Sequence, residues 1–185
     1  MNSFVIGQGA LNPYLAVTLF VCVGLAALWD FRTRRIPNWI TYPGMAAAVM
    51  LHLAAHGWPG VTHSLLGLAT GFGLLFLVYL AGGMGAGDVK LLSAVGAFLG
   101  PSLVFASFLW TALVGGALAM LAILYKRAAV QTLRNLQQLL FGWMLKASQR
   151  DLNLTIQNNS LIKLPYGIAI ALGTVLAVWQ GMPRF

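Results

Sequence analysis

The chain has 185 residues, of which 59% are hydrophobic and 8% charged, and its mean hydropathy is +0.83. A soluble domain of this length carries about 25% charged residues, so the composition excludes an ordinary water-soluble enzyme and indicates an integral membrane protein. The charge balance is basic, 11 Lys+Arg against 3 Asp+Glu; the positive-inside rule accounts for this without a nucleic-acid partner, and none is expected.

The N-terminus lacks a basic leader region and a small-residue cleavage site, so the first apolar segment is expected to stay in the protein as a span. That span runs from about Pro13 to Trp29. It contains Cys22, the single cysteine, which rules out an internal disulfide or a cysteine-based zinc site and reads as a packing residue. Asp30 closes the span, and Arg32, Arg34 and Arg35 follow it. From Ile36 to Gly87 there is no Lys, Arg, Asp or Glu. At ~1.5 Å per residue this stretch is too long for one crossing of a hydrocarbon core about 30 Å thick. It is read as two spans, approximately 37–55 and 61–81, turned by the HGWPG sequence His56–Gly60. His52 and His56 stand four apart, a spacing compatible with a metal, but near the outer face and away from any acid; they read as interfacial side chains without a special role.

Four glycines, Gly82, Gly83, Gly85 and Gly87, precede Asp88, which opens a fourth span over 88–100. A fifth covers about 102–125 and a sixth about 164–179. Between them, over 126–163, Leu133, Leu136, Leu140 and Trp143 recur at helical spacing among basic and amide residues, the pattern of an amphipathic helix on the inner leaflet. With six spans, the connections carrying Arg32, Arg34, Arg35, Lys90, Lys126, Arg127, Arg134, Lys146, Arg150 and Lys163 share one side, and only Arg184 falls on the other. That side is expected to be the cytoplasm, with both termini outside. The expected fold is all-α, one polytopic membrane domain over 1–185 with six transmembrane helices and an interfacial helix between the fifth and sixth.

The chain has three acidic residues, Asp30, Asp88 and Asp151. Asp151 lies in the polar connection and reads as solvated. Asp30 and Asp88 are brought by the topology to one depth at one face. The segment Asp88–Gly100 measures about 18 Å as a helix, short of a full crossing, so it either bends on through Pro101 or starts below the surface. Glycines fit the second case, because non-helical backbone at membrane depth survives only beside protein or a water-filled cavity. An ionisable group there costs roughly 2.5–3.5 kcal/mol on insertion scales. Two adjacent carboxylates in a poor dielectric share one proton, which lets one activate water while the other donates to a scissile carbonyl. A proton-coupled or ion-binding transporter would use the same acids. So would plain structural roles, with Asp30 pairing Arg32 or Arg34 at the interface and Asp88 capping its helix.

The sequence GAGDVK, Gly85–Lys90, resembles the Gly-x-Gly-Asp motif of the type IV prepilin peptidases, in which Val-Lys commonly follows. DFRTRRIPNWIT, Asp30–Thr41, resembles their other aspartate motif, and LPYGIAIALG, Leu164–Gly173, a third stretch in the last span. The three occur in family order over nearly the whole chain. The resemblance implies a membrane aspartic endopeptidase of the bacterial inner membrane that removes the leader of prepilin or pseudopilin substrates at the cytoplasmic face, with Asp30 and Asp88 as the dyad and no cofactor for proteolysis. It also implies support from Gly85, Gly87 and Lys90, from Pro37 and Asn38 where the second span begins, and from Pro165, Tyr166 and Gly167 facing the dyad. A helix-starting proline, a capping asparagine and an interfacial tyrosine read these last residues equally well. Larger members carry two Cys-x-x-Cys pairs after the first span and methylate the new N-terminus with S-adenosylmethionine. Here only Phe31–Ile36 separates Asp30 from Pro37, as in the short branch serving tight-adherence (Flp-type) pili, which leaves methylation open. A presenilin-type intramembrane protease shares Gly-x-Gly-Asp, but its partner aspartate lies within a helix, whereas Asp30 precedes a basic loop. The oligomeric state is not legible.

Overall fold

The computed structural model describes residues 12–81, 83–126 and 166–181. Among them every regular element is a helix: α1 (Pro13–Thr33), α2 (Asn38–Leu80), α3 (Ala86–Lys126) and α4 (Tyr166–Gly181). The expected amphipathic helix around Leu133–Trp143, Gly82, Asp151, Pro165 and Arg184 lie outside the described residues. The chain divides into two compact units, Met1–Gly115 with Pro165–Phe185, and Gly116–Leu164. In the second, Gly116–Lys126 is helical. All that follows concerns the first.

Helix α1 begins where the Asn12 side chain accepts the Tyr14 N–H (3.1 Å) and Pro13 takes the first helical position, whose N–H would have no partner anyway. It ends at Arg34, in the left-handed region (φ 53), whose N–H reaches the Asp30 carbonyl at 2.7 Å. That cap carries the helix past Trp29, so Asp30 belongs to its last turn. Pro37 is extended (φ −76, ψ 146) and starts α2.

Helices α2 and α3 each contain one backbone break. In α2 it is Gly57 (φ 63, ψ −147), inside HGWPG; in α3 it is Gly100 (φ 77, ψ 178), just before Pro101. Both dihedral pairs are open to glycine alone at little cost. α1, α2 and α3 are long and apolar enough to cross a membrane, and α4 is a shorter apolar helix. Val17, Leu28, Leu66 and Leu113 are among many exposed apolar side chains, the surface a lipid bilayer would cover.

The segment of α3 from Ala86 to Leu99 lies at the centre of the core. From Leu91 to Gly100 every residue is buried, with Leu91, Leu92, Val95 and Phe98 packed among Leu19, Leu75 and Ile170. Against α2 the backbones touch: a Cβ on Gly67 would strike the Gly96 carbonyl, and one on Gly71 the Leu92 carbonyl. Such close approach strengthens helix association where no hydrophobic force acts between helices in lipid. α1 packs on α2 and α4. The later part of α3 meets α4 through Ser107 and Thr174 (3.0 Å), through Trp110 Nε1 donating to Gln180 Oε1 (2.8 Å), and where Gly173 lies on Thr111.

Candidate active site

Asp30, in the last turn of α1, is 5% exposed. A buried carboxylate needs partners, and Asp30 Oδ2 accepts the Gly167 N–H from the first turn of α4 at 2.8 Å. A Cβ on Gly167 would stand 2.9 Å from that oxygen and 3.0 Å from Asp30 Cβ, so only glycine brings the α4 backbone close enough. An N–H at a helix start also points the positive end of the helix dipole at the carboxylate.

Asp88 occupies the first turn of α3. Its Oδ2 accepts the Gly85 N–H at 3.1 Å, while its own N–H donates to the Gly85 carbonyl, also at 3.1 Å. An acid at the third helical position reaching back to the N-terminal cap is one half of a capping box. Each aspartate therefore commits one oxygen to a glycine N–H, and the two carboxylates lie within electrostatic reach of one another. One arrives on the end of α1 and the other on the start of α3. The capping geometry, one of the alternatives in the sequence, is present at Asp88, with Asp30 within electrostatic reach.

The other described residues expected at the site lie at the starts of α2, α3 and α4. Gly87 lies on the α1–α2 connection, where its Cβ would meet Ile36 Cβ at 3.1 Å. Lys90 Nζ donates to Asn38 Oδ1 at 3.0 Å and sits 5.2 Å from the centre of the Tyr42 ring. The pair ties the start of α3 to the start of α2, where Pro37 is the cap. Tyr166, half-buried at the start of α4, packs its hydroxyl on Gly115 and lies within electrostatic reach of Asp88. Ile36, Tyr42 and Gly115 were missed in the sequence. Tyr42 could have been found, because it stands four residues after Asn38 on the same helical face; Ile36 and Gly115 carry no such signal.

At the other end of the Asp88 segment, His52 is buried rather than interfacial. Its Nε2 meets the Phe98 carbonyl at 3.1 Å. His56 is exposed. Among the described residues no group of three or more His, Cys, Asp or Glu could hold a metal ion.

One buried and one half-buried carboxylate, each accepting a glycine N–H, thus lie within electrostatic reach of one another at one end of the helical core. The chain matches the type IV leader peptidase family over residues 17–120. It is 33% identical over 179 residues, 93% of its length, to a prepilin leader peptidase/N-methyltransferase of Bacillus subtilis (strain 168), of which it covers 58%. It is 29% identical over 137 residues to a protein of the same name from Escherichia coli (strain K12), covering 67% of this chain and 60% of that one. The chain thus spans less than two thirds of the length of either relative. No solved structure matches it. With GAGDVK folded around Asp88 and the Asp30 carboxylate beside it, the chain belongs to the type IV leader peptidase family.

Proposed function

We propose that the chain is a membrane aspartic endopeptidase that removes the leader from prepilin or pseudopilin substrates, with Asp30 and Asp88 as its dyad. The observation that carries this reading is that each carboxylate has one oxygen held by a glycine N–H, which fixes both groups and leaves each a second oxygen for chemistry. The pair holds one proton. The ionised member takes a proton from a water as that water attacks the scissile carbonyl carbon, and the protonated member gives its proton to the carbonyl oxygen. The tetrahedral intermediate then collapses. The C–N bond breaks as the amine takes the proton the first aspartate had received, one hydroxyl of the diol returns its proton to the second aspartate, and the new carboxyl belongs to the leader.

The membrane layout of this proposal has six spans, because the breaks at Gly57 and Gly100 divide α2 and α3 into two crossings each. A continuous helix of 43 residues would measure about 65 Å, over twice the hydrocarbon thickness. Arg32, Arg34, Arg35 and Lys90 then lie beside the dyad, so the site faces the cytoplasm of an inner-membrane protein with both termini outside. The short Phe31–Ile36 connection supports the Flp-type branch. The names of both relatives include N-methyltransferase, and no methyl-transfer step is assigned to this chain.

Asparagine matches aspartate in shape but neither ionises nor holds the shared proton. Asp30→Asn and Asp88→Asn are each expected to lower leader cleavage by about 10³-fold or more, with the double variant no worse than either single one. The assay is the mobility shift of a co-expressed Flp-type prepilin, with the new N-terminus sequenced. Robust cleavage by either single variant would refute the dyad.

A further inference from the structure

The α3 segment that carries Asp88 ends at a break. Pro101 has no N–H to give to the Ala97 carbonyl, and Gly100 turns the chain out of helical register. The Ala97 carbonyl thus loses its helical partner, and with those of Phe98 and Leu99 it lies in a buried stretch, where an unpaired carbonyl is costly. Side chains of α2 gather on this stretch: Ser64 Oγ donates to Ala97 O at 2.8 Å, His52 Nε2 stands 3.1 Å from Phe98 O, and the His63 ring lies against Gly100. Ser64 is fully buried and His52 nearly so. The two histidine rings are 5.7 Å apart, edge to face.

The clamp also joins two breaks. His52 precedes Gly57 and Ser64 and His63 follow it, while Gly60 packs directly on the His52 carbonyl. The side chains of α2 flank its kink at Gly57, and the carbonyls they meet lie just before the kink of α3 at Gly100.

We propose that His52, His63 and Ser64 are positioning residues for Asp88, a role that rests on the dyad reading. They pin the far end of the Ala86–Leu99 segment, which sets the depth and rotation of the whole segment. A slip of one residue turns a helix by about 100° and shifts it by about 1.5 Å. The segment is stiff and packed backbone to backbone on α2, so motion at Leu99 reaches Asp88 undiminished.

The test pairs two readouts on the full chain in lipid vesicles. The first is cleavage kinetics on an Flp-type prepilin. The second is the rate of disulfide formation between Ile36→Cys and Gly87→Cys in a Cys22→Ser background; these positions place Cβ atoms 3.1 Å apart, close to the span of a disulfide. The second readout reports the register of the Asp88 segment whether or not Asp88 is catalytic. His52→Ala is expected to lower kcat about tenfold with KM nearly unchanged, because misplacement of a reacting group acts on kcat, and to slow cross-linking. His52→Gln, whose amide nitrogen can stand where Nε2 does, restores both. Ser64→Ala, which removes one hydroxyl from a small side chain, shifts both readouts the same way, and Ser64→Thr restores them. Unchanged cross-linking in both alanine variants would overturn the clamp, as would kinetic loss that Gln and Thr fail to rescue. If cross-linking responds as expected while Asp88→Asn still cleaves, the dyad has failed and the clamp as a register device stands. If Asp88→Asn is inactive and the alanine variants match the parent on both readouts, the clamp has failed and the dyad stands.

Discussion

The two ends of the Ala86–Leu99 segment solve the same problem in opposite ways. Every helix end leaves backbone groups without partners. At the start, a backbone N–H of Gly85 is met by an acidic side chain only three residues away, Asp88. At the far end the backbone supplies acceptors, and the donors come from Ser64, 33 residues distant in sequence, and His52, 46 residues distant. The first solution leaves a half-buried carboxylate at the edge of the core. The second turns its donors onto buried backbone acceptors. On the function proposed above, one end of the helix is reactive and the other inert, although both are polar islands in an apolar protein.

The largest effect is expected at the inert end. Gly100 has φ 77 and ψ 178, a region closed to side chains, and a Cβ there would enter the His63 ring. Gly100→Ala should cost about 3 kcal/mol or more, since strain of 1–3 kcal/mol adds to a displaced hydrogen-bond donor. The expected outcome is poor accumulation in the membrane and a lower unfolding midpoint in detergent. A variant as stable as the parent would mean that the break does not hold the clamp in place.

A smaller effect separates the two roles of Asp88 at the reactive end. Asp88→Asn keeps an oxygen for the Gly85 N–H, whereas Asp88→Ala removes the cap, worth about 1 kcal/mol. Both should be inactive, but only the alanine variant should unfold earlier. If the two unfold alike, the Gly85 contact adds nothing to stability and Asp88 is held by other means.

The same contrast explains what could be read from the sequence. Asp88 and its glycines form one contiguous motif, and the topology expected from the basic residues put Asp30 at the same end, so the nearness of the two acids was legible. The two breaks were legible as HGWPG and GP. Their consequence was not, because it depends on how two kinked helices lie against each other. His52 looked like an interfacial side chain since nothing near it in sequence marks a carbonyl 46 residues away. Gly167 over Asp30 is a contact across 137 residues, and only the likeness of LPYGIAIALG to a family stretch pointed to it. Helix α1 ran on to Thr33, past the expected Trp29, because the terminator is a left-handed Arg34 rather than a glycine.

The smallest effect concerns a polar group that neither end explains. Thr111 is 1% exposed, and its Oγ1 has no hydrogen-bond partner among the described residues; it faces Gly173 of α4. One turn earlier on the same helix, Ser107 does pair with Thr174. A buried hydroxyl without a partner has lost its water and gained nothing, and its isosteric replacement by a methyl group removes that cost. Thr111→Val is therefore expected to raise stability by up to about 1 kcal/mol. Ser64→Ala should lower it, because it strands the Ala97 carbonyl. Opposite signs for two buried hydroxyl deletions in one apolar core would show that the geometry of the partner, and not polarity itself, decides whether a hydroxyl belongs there. A loss of stability in Thr111→Val would mean that its hydroxyl has a partner, such as a buried water between α3 and α4.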